Sequence, residues 1–253
     1  MILRAVALIT TIALVSPAQA GDAAARRIIG FAPDGGYFAF EQYTNIYEDD
    51  ASFSEIFVID TSNDRYAPGT PVKVLLRDED GIEERSRADS ADKVRPVLEQ
   101  FKIGDAGTYV AGKPSMALDE VGIYQMDPAP LAKSLAFKLP DGRAAKLALA
   151  DKPLGSAMCN GFGGTGTPGR AKAAGFRLTL EVAGTPPATL QDDKTLPNGR
   201  RCAAAYGIAE THLHQAPDGT ITLAALVEYA DNHEFHAGPN RRFIAVTKRI
   251  PKQ

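Results

Sequence analysis

Between Tyr37 and Asp60 the chain places bulky apolar groups at odd and even positions alike. Tyr37, Phe38 and Phe40 make up the first run, and Ile56, Phe57, Val58 and Ile59 the second. A strand with one face in water alternates apolar with polar, so bulk on both faces predicts a strand pair covered on both sides. The turn that leads into the pair is also legible. Pro33 fixes φ, Asp34 can bond its own backbone, and Gly35 and Gly36 admit positive φ. Further strands are expected at Val72–Leu76, Thr108–Ala111, Glu120–Tyr124, Ser134–Leu139, Ala144–Leu149, Gly175–Val182, Ala204–His214, Thr220–Tyr229 and Phe243–Ile250. Pro140-Asp141-Gly142 and Pro217-Asp218-Gly219 join neighbours into hairpins.

One stretch, Ser90–Ile103, carries helical spacing, with Val94, Val97, Leu98 and Phe101 on one face. Pro96 would cost about 3 kcal/mol in a helix interior but little in a first turn, so the regular helix is expected to start near Pro96. The charge run Arg77–Arg87 before it reads as a solvated excursion. The fold class that results is mainly β: an irregular antiparallel sandwich or meander with one amphipathic helix. A small or incomplete β-propeller is the alternative. The Pro-Asp/Asn-Gly turns at Pro33, Pro140, Pro197 and Pro217 are unevenly spaced, whereas propeller blades repeat every 40 to 45 residues or so. They mark hairpins rather than blades.

The string from Phe31 to Glu41, followed by Ser54–Asp60, resembles one blade of TolB-like and WD-type β-propellers, with Ala32 and Gly36 departing from the usual residues. The chain more closely resembles a bacterial family of predicted secreted proteins of unknown function. That resemblance is carried by Phe31–Glu41, Ser54–Asp60, Pro68–Val72, Leu190–Asp193, Leu196-Pro197 with Cys202, and Arg241–Val246. It implies export and no particular activity.

Export is also expected from the first twenty residues. Arg4 is a positive start, Ala5–Val15 an apolar run, and Ala18-Gln19-Ala20 a small-residue cleavage site. The run falls well short of the roughly 20 residues that span a bilayer. A cleaved signal peptide, 1–20, and a single β-rich domain, 21–253, in the periplasm or beyond are therefore expected, with no stable membrane insertion. A formal net charge of −3, with both signs mixed along the chain, gives no basis for nucleic-acid binding. The basic pairs Arg26-Arg27, Arg200-Arg201 and Arg241-Arg242 read as solvated strand or loop ends.

Candidate chemistry is sparse. Gly161-Phe162-Gly163-Gly164-Thr165-Gly166 is a literal G-x-G-x-x-G, with Glu181 downstream, but Pro168, Gly169 and Gly175 leave no room for the helix that a dinucleotide site needs. No nucleophile elbow is present. Glu41, Glu55 and Asp60 lie near the central hairpin and read as solvated or capping acids. The four histidines cluster as His212-x-His214 and His233-x-x-His236, beside Glu210 and Glu234. A strand would put His212 and His214 on one face, as metal ligands require, yet short His clusters are commonly surface positions and no metal or other cofactor is expected. Two readings follow: a non-enzymatic binding or assembly module with an unidentified protein or small-ligand partner, and, as the alternative, a hydrolase or metal-dependent enzyme using that cluster.

Cys159 and Cys202 are the only cysteines. In an exported chain an even pair is expected to form a disulfide. On the chain-entropy model a closed loop of about 43 residues is worth about 4 kcal/mol. The mature protein alkylated under denaturing conditions should therefore gain no adducts until reductant is added. Two adducts without reductant would exclude the bond.

Overall fold

The Pro33–Gly36 turn tightens as its residues dictate: Gly35 N–H donates to Ala32 O at 2.8 Å, and Gly36 N–H to Asp34 Oδ1 at 2.9 Å. Gly35 has φ +67°, and a Cβ there would lie 2.4 Å from the Thr222 hydroxyl, so no other residue fits. In the computed structural model, which describes residues 23–46, 50–77, 82–112, 132–154, 173–200, 202–231 and 240–252, this turn joins the first sheet to the second. Thr222 and Thr61 hydroxyls both donate to Gly35 O, at 3.0 and 2.6 Å.

Thirteen strands and one α-helix follow in order among the described residues: β1 (Ala25–Phe31), β2 (Tyr37–Ile46), β3 (Ala51–Asp60), β4 (Arg65–Tyr66), β5 (Val72–Arg77), α1 (Ile82–Gln100), β6 (Thr108–Gly112), β7 (Ser134–Lys138), β8 (Ala144–Pro153), β9 (Ala174–Val182), β10 (Ala188–Asp192), β11 (Ala203–Gln215), β12 (Ile221–Asp231) and β13 (Asn240–Ile250), with a single 3-10 turn, Asn198–Arg200, before β11. They build three antiparallel sheets. The first runs β1-β2-β3 with β4 and β5 both paired to β3, the middle one β13-β12-β11-β6, and the third β10-β9-β8-β7.

The layers are set by which face each residue presents. Phe38, Phe40, Phe57 and Ile59 of the first sheet pack against Ala224, Leu226 and Phe243 of the middle sheet. The other face of the middle sheet, with Tyr206, Leu213, Leu223, Ala225 and Val227, packs on Leu147, Leu149, Phe176, Leu178 and Leu180 of the third. The outer face of the first sheet, with Ala39, Ile56 and Val58, is covered by α1 through Val94, Val97 and Leu98. The protein is thus an irregular β-sandwich of three stacked sheets with one helix on its outer face. The hairpin β2–β3 is buried on both sides, as its pattern predicts. The stretch that resembles a blade forms this hairpin, and the propeller alternative finds no confirmation.

The helix departs from expectation. It begins at Ile82, so much of the charge run is helical and Pro96 lies inside it. The buried residues of its first half are Ser86 and Ser90, not apolar ones. Small hydroxyl residues let the helix approach β3 closely, where Ser86 meets Ser52 at 3.2 Å and Ser90 meets Ser54 at 2.6 Å. Between them Arg87 reaches in to Glu41, which is 0% exposed. Nε lies 3.0 Å from Oε1, and the guanidinium rests 3.7 Å from the centre of the Tyr43 ring. Arg27 and the Ser54 hydroxyl complete the carboxylate's partners at 2.7 and 3.0 Å. Buried charges persist only when paired and hydrogen-bonded in this way. The helix ends in a Schellman turn: Ile103 N–H donates to Leu98 O, Lys102 N–H donates to Glu99 O, and Lys102 has φ +53°.

Pro96 is exposed and deprives the Asp92 carbonyl of its helical donor. Pro96→Ala is expected to raise stability by about 1–3 kcal/mol, read as a higher urea midpoint at unchanged slope. A lower midpoint would show that the proline holds the helix to its sheet.

Candidate functional site

The three sheets leave edge strands on one side, β4 of the first, β13 of the middle and β10 of the third. A cleft of about 620 Å³ opens there, lined from the first sheet by Gln42, Glu55, Phe57, Ile59, Asp64, Arg65, Tyr66 and Pro71. Phe243, Ile244, Ala245 and Val246 of β13 form a second wall with Tyr229 of β12, and Gln191, Pro197, Gly199 and Arg200 a third.

Strand parity explains the floor. Phe57 and Ile59 point from β3 toward the middle sheet, while Phe243 and Ala245 point back from β13. Two side chains of the first sheet then cover amides on the free edge of β13. Phe243 N–H donates to Gln42 Oε1 at 2.8 Å, and Thr247 N–H to Asp64 Oδ1 at 2.7 Å, with the Thr247 hydroxyl donating to the same oxygen at 2.7 Å. Gln42 gives its amide nitrogen to Glu55 Oε2 at 3.0 Å.

The opposite wall is braced by Asp193, a buried carboxylate that accepts from Phe176 N–H at 2.9 Å, from Gln191 Nε2 at 2.6 Å and from Arg200. Arg200 in turn lies 4.9 Å from the centre of the Phe176 ring. Tyr66 is 52% exposed at the lip, tilted against Phe57 at 5.6 Å. Its phenol pKa is raised, first by partial burial and then by the Glu55 charge, with Arg200 opposing and Asp64 adding.

The residues singled out from sequence are distributed differently. His212 and His214 do share a face of β11, but that face is turned inward against β1 and the turn before β2. His214 Nε2 lies 3.1 Å from Pro33 O and Nδ1 3.2 Å from Asp105, with the ring stacked on Phe31. His212 is 8% exposed, its Nε2 3.5 Å from Glu210, whose other oxygen takes Arg26 at 2.9 Å. Among the described residues no group of three His, Cys, Asp or Glu side chains could hold a metal ion. His233, His236, the glycine-rich 161–166 and Cys159 lie outside the described residues, as does 1–20. Cys202 is buried just after the turn that carries Arg200. Of the three acids, Asp60 caps its turn through Ser62 N–H and Asn63, Glu41 lies under the helix, and Glu55 lines the cleft. Arg26 and Arg200 are less solvated than expected, each reaching a buried carboxylate, whereas Arg27 bonds the buried Glu41 while staying half exposed.

A family model described as "Predicted secreted protein (DUF2259)" matches residues 39–249. The chain is a member of that family. Its description as secreted agrees with a periplasmic or secreted location, and none of the described helices is long and apolar enough to cross a membrane. No curated protein matches the chain, and no solved structure does. The segments in which the sequence resembles this family supply much of the cleft: Glu55, Phe57 and Ile59, then Pro71, Gln191, Pro197, and Phe243–Val246. Sequence reading found those segments but not their meeting, because no local spacing joins them.

Burial raises the Asp64 carboxyl pKa, against the two Thr247 hydrogen bonds that lower it. The folded chain therefore holds this proton to higher pH than the unfolded one. The resulting stability is complete below the unfolded carboxyl range, near pH 4, and is lost as pH rises through the folded value. Asp64→Asn keeps an acceptor for Thr247 and should have a higher urea midpoint than wild type at pH 7, by an increment that shrinks toward pH 4. A difference that is constant or grows on acidification would contradict burial as the cause.

Proposed function

We propose that this exported protein is a non-enzymatic binding module whose ligand occupies the cleft at the three sheet edges. The observation that carries this reading is the convergence of family-resembling segments from all three sheets on one concave site. Pockets of this size, with an apolar floor and a few converging polar groups, are where small ligands bind. The absence of a nucleophile elbow, phosphate loop or recognisable acid pair in the sequence supports binding over turnover. The disulfide between Cys159 and Cys202 belongs to the same proposal, since it would fix the chain next to Arg200 and stiffen that wall.

Thermal unfolding in a defined panel of amino acids, dipeptides, amines, sugars and carboxylates tests this. A ligand at about a hundred times its Kd adds about 2.7 kcal/mol, which raises Tm by about 5–10 °C in a domain of this size. The shift should vanish in Tyr66→Ala and persist in Tyr109→Ala, which alters an exposed ring on β6 at the opposite edge of the middle sheet. Equal loss in both variants, or no shift with any compound, contradicts the assignment.

A further inference from the structure

The charges and rings of the cleft discriminate among ligands. Glu55 and Asp64 both line it, and neither is paired with a cation among the described residues. Glu55 accepts from the Gln42 amide at 3.0 Å, and Asp64 accepts two Thr247 hydrogen bonds, both on Oδ1. Of the two cations in the lining, Arg200 is already matched by Asp193, and Arg65 is exposed on the edge strand β4. Beside the carboxylates stand Phe57 and Tyr66, their planes tilted by 45°, with Phe243 and Tyr229 opposite. The protein already pairs cations with rings in this region, placing Arg26 4.6 Å from the centre of the Phe243 ring.

We infer that the cleft binds cationic nitrogens on an aliphatic stem, amine or guanidinium, one at Glu55 and one at Asp64, with the stem against Phe57 and Tyr66; the Phe243 and Thr247 amides that mark the two acids are four residues apart on one strand, roughly 13 Å. This rests on the cleft being the binding site. A carboxylate partly removed from water and lacking a counter-charge gains most from an incoming cation, and aromatic faces favour the same ligand. A neutral or anionic ligand would leave both acids unmatched. The chemistry is shared by free polyamines and by lysine or arginine side chains of an extended peptide.

Isothermal titration of the mature protein separates the possibilities with three five-carbon probes that differ only at their ends, cadaverine, 1,5-pentanediol and glutarate, together with agmatine and the capped peptide Gly-Lys-Gly. Cadaverine, agmatine or the peptide should bind, and Asp64→Asn and Glu55→Gln should each weaken that binding about tenfold or more. Both substitutions conserve shape, and a wild-type-like circular dichroism spectrum in either suffices to read the effect. Binding of cadaverine and agmatine without the peptide assigns a free amine, and the reverse assigns a protein partner. If no cationic probe binds, or if binding is unchanged in both variants, the cation assignment is overturned. Binding of pentanediol or glutarate that is lost in Tyr66→Ala would overturn it too while leaving the cleft as the site. Cation binding that survives Tyr66→Ala and both acid variants would remove the cleft from consideration altogether.

Discussion

The constraint on which the architecture depends is that the middle sheet has no wet face. From Ile221 to Val227 every residue of β12 is fully buried, odd positions toward one neighbouring sheet and even positions toward the other. Such a sheet must be matched by an apolar layer on each side, and the two outer sheets supply one each. The first outer sheet is itself covered again, by α1, which is why β2 and β3 also lack a solvent face. Aromatic rings bridge these layers, and truncating a buried one costs about 3–5 kcal/mol, a large part of a typical domain's stability.

Stacking by faces leaves only the edges for function. An edge strand offers backbone groups and side chains of both faces to solvent, and here β4, β10 and β13 bring theirs to one place. The cleft is a consequence of the layering: its floor is the seam between the first and middle sheets, and its far wall is held by the Asp193–Arg200 pair at the seam with the third. Glu55 and Asp64 differ from Glu41 and Asp193 in this respect. The latter two are matched by guanidinium groups. The former are bonded only to neutral donors.

Much of the fold was legible in the sequence, because alternation and turn chemistry are local. Strands from Tyr37 to Asp60 and from Ala144 onward fall close to their expected bounds. The first half of α1 was hidden because its inward face is Ser86, Arg87 and Ser90, so no apolar 3.6-residue period exists to be found. β1 was hidden for a related reason, since Arg26 turns inward to Glu210 and Arg27, half exposed, bonds Glu41 on the neighbouring strand, and the two break the apolar pattern. β10 is a short, half-exposed edge. The site was the least legible part. Glu55 and Asp60 look alike as strand acids, and only register puts one in the cleft and the other on a turn. The histidine spacing correctly placed His212 and His214 on one face but could not say that the face turns inward, onto Phe31 and Pro33.

The capping of β13 by Gln42 and Asp64 has a consequence for the protein among its own copies. A long, uncovered edge strand is a template for another chain. With the Phe243 and Thr247 amides engaged by side chains and the Arg241 carbonyl by Ala24 N–H, an incoming strand would find the donors on either side of Ala245 occupied, and full pairing would mean breaking those bonds. Side chains of the first sheet thus help bury the edge at Phe243, Val246 and Thr247, while the half-buried Ile244 and Ala245 between them still line the cleft.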